Sequence, residues 1–466
     1  MNYIRLNISG KNSMVTHKTQ YYYHTLRLFI MFFIAALAPS ISYATVYEIV
    51  YSNHQVTRVI GDKHKVDEQN FISTVILGPN TLSVRDNQIE TIYNCDNLVI
   101  TRVDHNNKKY EQYSFYPEVI FRGKEMYNRL TQNSVLATIK DKKIAYASNE
   151  FVVESLFGIK LRNSISKDIK EKVNGNVHDF IFDSQQIASV ILDDPALKPE
   201  VKNSFKKFIL YNFYLHPDIR NKILDYGRIF SHLTYKYKDF NKIITVDMDL
   251  KSVREISDRD IKIPLGYTKF YTDKKKLNAT LMKAHSRLGM ISEKQYQEEV
   301  ENLINKKQYL DAFLALHEYI FQYDSKPIEQ FKRILAASNQ NSQVYKLGRS
   351  LEPKSKEEVE KSIKFINELA KQNLKHGYVL DVFLANIYGS QKSYSVAFSY
   401  FDKALSHNPF MASVYIDFAQ LLSEDYKIYL AWQCIEAVKD FMPGYNRLRF
   451  AKEMEERMKQ LNPDFF

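Results

Sequence analysis

Between Tyr378 and Pro443 one arrangement of side chains occurs twice, 34 residues apart. In the first copy the key places are held by Leu384, Ala385, Tyr388, Ala397, Phe401, Ala404 and Pro409; in the second by Phe418, Ala419, Leu422, Ala431, Ile435, Val438 and Pro443. Two helices approach to about 8–10 Å only where their contact residues are small. Ala385 against Ala397, and Ala419 against Ala431, therefore predict close antiparallel pairs, with Phe401 and Tyr388 filling the space between hairpins. A proline after each second helix stops it and lets the chain turn back. A unit of this size cannot bury its apolar face alone, so a stack of about three is needed.

This pattern resembles the tetratricopeptide repeat in period and in its small, apolar and aromatic places. Asp381 departs from it, standing where a large apolar residue is usual. In that family the groove is lined from the first helix of each hairpin. The resemblance implies Val379, Val382, Asn386 and Gly389 in one repeat, and Ser413, Ile416, Gln420 and Ser423 in the next, facing a protein or peptide partner. Asn386 and Gln420 either hydrogen-bond a peptide backbone or are merely solvated.

The first 44 residues stand apart from the fold. Arg27 precedes the apolar run Leu28–Ala38, Pro39 ends it, and Ser42-Tyr43-Ala44 supplies small residues at a cleavage point. That order reads as a secretory signal, cleaved after Ala44, of a protein that is periplasmic or secreted. A retained N-terminal anchor is the rival, although a span needs roughly 20 apolar residues. No second span is expected in the mature chain. Removing four basic groups (Arg5, Lys11, Lys18, Arg27) brings the net charge from +11 to +7. Basic runs such as Lys274-Lys275-Lys276 are short and scattered, unlike a nucleic-acid face, so no nucleic-acid partner is expected. Cys95 and Cys434 fall in different regions and read as single thiols, not a disulfide framework.

From Val46 to Tyr113 short alternating segments are separated by turn formers: Gly78-Pro79-Asn80, Asp86-Asn87, Asn94-Cys95-Asp96-Asn97 and Asp104–Lys108. They predict an antiparallel meander with one apolar face. Helices over Pro199–Leu215 and Pro217–Tyr226 are placed to cover that face. Thr234–Tyr237 and Ile243–Leu250 return as strands, the second with Thr245, Asp247 and Asp249 on one side and Ile244, Val246, Met248 and Leu250 on the other. The fold class is thus an α+β domain with a curved antiparallel sheet and covering helices, over 45–272. In an exported chain this looks like the periplasmic lipoprotein-carrier (LolA-like) fold, on the rhythm of the stretch from Leu82 to Tyr110. That resemblance implies a lipid or other apolar ligand held against the helices; a filled core sealed by them is the alternative.

A turn at Ile263–Gly266 and the lysine run place a boundary near Asp273. An all-α, tetratricopeptide-like region is expected over 278–466. Its helices are read at Asn278–Met290, after Ser292 with a Ser292/Gln295 capping box, at Gln308–Tyr323, Ile328–Ala337 and Lys356–Asn373. Tyr445–Leu461 is read as a charged terminal cap. No HExxH, GxSxG, glycine-rich phosphate loop or CxxC occurs, so no catalytic, cofactor or metal residue is assigned. Asp247 with Asp249 read as solvated carboxylates, and His216 and His64 as surface or satisfied core groups. Two function classes remain: an exported, non-enzymatic interaction scaffold of the bacterial envelope, or a carrier or sensor of an apolar ligand with the repeats as docking arm.

Overall fold

A computed structural model describes residues 46–62, 64–138, 150–161, 169–193, 195–256, 261–272, 274–325, 327–339 and 342–466. The expected export signal lies outside them. Among the described residues no helix is long and apolar enough to cross a membrane.

The N-terminal region is one open sheet. Six strands form the meander: β1 (Val46–Val59), β2 (Val66–Leu77), β3 (Thr81–Asp86), β4 (Ile89–Asn94), β5 (Val99–Asp104) and β6 (Lys109–Ser114). Helices α1 (Phe115–Thr138) and α2 (Glu150–Phe157) lead to β7 (Lys170–Asn174), β8 (Val177–Phe182) and β9 (Gln185–Ile191). Next come α3 (Lys202–Asn212) and α4 (Pro217–Asp225), then β10 (His232–Asp239), β11 (Lys242–Ile256) and the two-residue β12 (Thr268–Lys269). The strand order is β12-β6-β5-β4-β3-β2-β1-β11-β10-β9-β8-β7, antiparallel throughout except for β12 against β6. The edge strand β7, Lys-Glu-Lys-Val-Asn, is charged, which discourages further pairing.

The predicted meander and both returning strands are present, and β11 alternates as read, with Ile244, Val246 and Met248 buried. Asp247 and Asp249 accept hydrogen bonds on the opposite face, from Thr234 at 2.6 Å and His232 at 2.8 Å. The helix expected over Pro199–Leu215 is a 3-10 turn at Pro199–Val201 followed by α3, because Phe213 is already extended. Cys95 and Cys434 are both free thiols.

From Lys275 onward the chain is helical: α5 (Lys275–Ser286), α6 (Glu293–Asn305), α7 (Tyr309–Tyr323), α8 (Ile328–Ala336), α9 (Gln343–Ser350), α10 (Lys356–Leu369), α11 (Val379–Ser390), α12 (Tyr394–His407), α13 (Ala412–Glu424), α14 (Ile428–Phe441) and α15 (Leu448–Leu461). The repeated stretch folds as two hairpins, α11/α12 and α13/α14, with Ala385, Ala397, Ala419 and Ala431 all buried. Ser292 caps α6 with the expected box. α5 starts three residues earlier than read and ends at Ser286, where Arg287 adopts a left-handed backbone. Asp381 is buried, and Lys403 of the same hairpin reaches it at 2.8 Å.

The two regions touch along α1 and α14. Tyr429 donates to Glu118 and packs edge-on against Tyr113, Lys124 donates to the main-chain oxygen of Ser423, and Trp432 lies beside Tyr116.

Candidate functional site

The inner face of the sheet carries a continuous apolar patch. Row by row across paired strands it presents Tyr47, Leu77, Leu82, Tyr93 and Ile100, then Ile49, Val75 and Val84, with Leu233, Tyr235, Val246 and Met248 continuing it through β10 and β11. Pleating places alternate residues of each strand on this side. Among the described residues no second sheet covers the patch. Its cover is α3 and α4, through Phe205, Phe208, Ile209, Ile219 and Ile223, together with Phe213 and Phe230 from the segments beside them. Tyr51 stacks on Phe230 at 5.1 Å and on Phe208 at 6.2 Å, so the space between sheet and helices is filled by rings. Past Tyr51 the same face turns polar: Asn53 donates to Ser73 at 2.9 Å, and Ser73 donates to Asp86.

Helix α2 locks the cover at one side. His216, the N-cap of α4, accepts from the backbone N–H of Asp218 through Nδ1, so its Nε2–H is directed to Glu154 at 2.9 Å. Both side chains are wholly buried. Gly158 beside them has φ +66°, and a Cβ there would lie 3.1 Å from an Arg220 nitrogen, so this turn needs glycine for both conformation and space.

At the other side the crevice between α1 and α3 is closed by the segment that follows α15. Lys207 of α3, 1% exposed, donates to the main-chain oxygens of Asp464 at 2.6 Å and Phe466 at 2.7 Å. Tyr211 donates to the main-chain oxygen of Phe465 at 2.8 Å. Lys206 pairs with Asp464 at 2.5 Å, and Arg220 approaches the other carboxylate oxygen at 3.6 Å. Phe465 is buried against Val119 and Leu210, with the Arg122 guanidinium 5.5 Å from its ring centre; Phe466 packs on Tyr116 at 5.1 Å. Burial pulls the Lys207 ammonium down to about 8 and the Arg220 guanidinium down to about 10. The Arg220 Nε is buried without a hydrogen-bond partner. The crevice mouth is therefore cationic and the crevice itself apolar.

The helical region places the residues read from the repeat as follows. Val379 and Val382 are fully buried in the core, and Ser413 is buried, accepting from Arg447 at 3.3 Å. Ile416 is partly buried, while Asn386 and Gln420 are exposed on α11 and α13. Gly389 faces Leu421, and Gln420 bonds Glu424 at 3.3 Å. A cleft of about 540 Å³ opens elsewhere, lined by Lys274, Lys275, Lys276, Phe398, Asp402 and Lys427 among others. The Lys427 and Lys274 ammonium groups lie 4.8 and 5.9 Å from the Phe398 ring centre. The sequence shows this lysine run but not its meeting with α12 and α13. Among the described residues no group of three His, Cys, Asp or Glu side chains is placed to hold a metal.

No known family model matches the chain, and no curated protein matches it. Among solved structures it is similar to a chain from "Lipid-protein interactions in lipovitellin", at 10% identity and a TM-score of 0.20 over 89% of this chain. The match takes in 50% of that chain, so this protein spans about half its length.

Proposed function

We propose that the sheet region carries or senses an apolar ligand, as the lipoprotein-carrier resemblance implies, and that the helical region is its docking arm. The observation that carries this reading is the way the inner face is closed. A broad apolar patch on an open sheet is covered by two short helices and a five-residue segment, elements that can move without breaking a strand ladder. Filling by rings is the closed form of such a site. A bulky residue under the cover tests it. Val84→Trp, on the patch and 6% exposed, is expected to cut uptake of the fluorescent fatty acid cis-parinaric acid at least tenfold while the far-ultraviolet dichroism stays unchanged; uptake equal to the parent's overturns the reading.

The docking arm takes a protein or peptide partner, and the hairpins act as tetratricopeptide-like units. The lysine-lined cleft with its Phe398 floor favours an acidic segment, while Asn386 and Gln420 offer amide groups on the exposed side of α11 and α13. The protein is non-enzymatic in this account and works in the periplasm or outside the cell. Crosslinking in the producing cell, compared between the parent and an Asn386→Ala/Gln420→Ala variant, tests the arm: loss of the partner supports the amides, and retained capture removes them.

A further inference from the structure

We infer that residues 462–466 are a displaceable latch, and that the place they fill takes an anionic amphiphile, a lipid with a carboxylate or phosphate head. The inference rests on the carrier reading and adds the class of ligand and its control.

The latch has the ligand's own chemistry. Asp464 supplies the anion, and Phe465 with Phe466 supply the apolar part. Three cations surround it: Lys206 and Arg220 reach the carboxylate of Asp464, and Lys207 beside them reaches the main-chain oxygens of Asp464 and Phe466. Arg122 is satisfied by Glu118 at 2.7 Å, and Asp218 near Arg220 is held by Lys160 at 2.8 Å. Lys207 and Arg220 are both buried, and a buried cation is costly unless an anion comes close to it. Lys207 donates to the main-chain oxygen of Asp464, and a neutral carbonyl is a weaker partner for a cation than a carboxylate or phosphate. Asp464 itself is 43% exposed, so its charge is half-spent on water. A lipid head would bring one or two negative charges to the same three cations. Its acyl chain would follow the path of Phe465 and Phe466, past Val119, Leu210 and Tyr116, toward the patch beneath α3. The same event would free α15 from the sheet region, so that loading is signalled to the helical arm.

The protein carries its own reporter. Trp432 is the single tryptophan of the chain, buried 5.7 Å from Tyr116, which in turn holds Phe466 at 5.1 Å. Titrating the full chain with oleate, oleoyl lysophosphatidate and oleyl alcohol, and following Trp432 emission, is the direct test. A saturating change with either anionic lipid, at least tenfold weaker with the uncharged alcohol, is the expected result; the more potent of the two identifies the head as carboxylate or phosphate. Equal potency of the alcohol overturns the cationic head site. A second measurement isolates the latch: Phe465→Ala/Phe466→Ala is expected to bind cis-parinaric acid at least tenfold more tightly than the parent. Equal binding by parent and variant, with Val84→Trp still abolishing it, overturns the latch and leaves the carrier standing. No binding by any form overturns both. Should the alanine variant fail to fold, the Phe465→Leu/Phe466→Leu variant and the Trp432 titration of the unaltered chain decide.

Discussion

His376 and Glu318 lie 2.6 Å apart in the core of the helical region, Nδ1 to Oε2, although they are 58 residues apart in sequence. The other ring nitrogen meets Glu299 at 3.0 Å, and Glu318 also accepts from Tyr296 at 2.5 Å and from Asn408 at 2.7 Å. Helices α6 and α7, the segment before α11 and the segment after α12 are thus tied by one polar network. Such a network specifies which hairpins pack together, and it is costly if broken on one side only.

Burial would lower the His376 imidazole, but its bonds to Glu318 and Glu299 outweigh that and raise it above the usual 6.5. The folded form therefore holds this proton more tightly than the unfolded chain. Its contribution is fully present below pH 6.5 and is lost as pH rises through the raised value. Urea melts across pH 6 to 9 are expected to show stability falling with pH, and His376→Asn is expected to flatten that slope. An unchanged slope in the variant contradicts the assignment.

His317 has the opposite sign. Burial against Phe313, Phe331 and Phe383 drives it down to about 4. Between pH 6.5 and 4 the unfolded chain binds a proton that the folded chain refuses, so stability is lost as pH falls through this window, by about 3 kcal/mol at most. His317→Phe is expected to remove part of the acid loss in melts at pH 4 to 7. Acid sensitivity identical to the parent's contradicts it.

Asp381 occupies an apolar place of the repeat and is 3% exposed, with burial raising its carboxyl in spite of Lys403. Lys403 is itself 57% exposed and can return to water. Replacing a buried ion pair by a well-fitting apolar side chain is often neutral or stabilising. Asp381→Leu is expected to leave the melting temperature unchanged or raise it by a few degrees. A fall instead would mean that the pair fixes the packing of α11 on α12.

Ala397 and Ala431 mark the close crossings and are 0% and 1% exposed. Leucine at either place forces the helices apart, at a cost of about 1–3 kcal/mol. Denaturant melts of Ala397→Leu and Ala431→Leu check this, and stability equal to the parent's would show that these hairpins are not packed so closely.

The strands were readable because alternation and turn residues mark them: Asn87 and Leu98 take the left-handed backbone at the hairpin ends of β3/β4 and β4/β5. The paired helices of the repeat were readable from Ala397 and Ala431. Helix α1 was not, because its buried side carries Arg122 and Arg129, each paired with a glutamate four residues back, where an amphipathic pattern requires apolar residues. Strand β7 was hidden by its charges. Helix α9 falls between the helices predicted over Ile328–Ala337 and Lys356–Asn373, although Ser342 caps it. The crevice mouth was least legible of all. Lys207 lies in the stretch Lys206-Lys207 of an ordinary amphipathic helix and looks solvated, and its partners at Asp464 and Phe466 lie more than 250 residues away, 257 and 259 along the chain. Only folding brings that charge to those oxygens.

The central claim, that the sheet region holds an apolar ligand, is tested most directly by a native mass spectrum of the protein purified without detergent from cells that make it. The account predicts an added mass of lipid size, lost on organic extraction and regained on incubation with oleate. A clean protein mass that stays unchanged after incubation with oleate would contradict it.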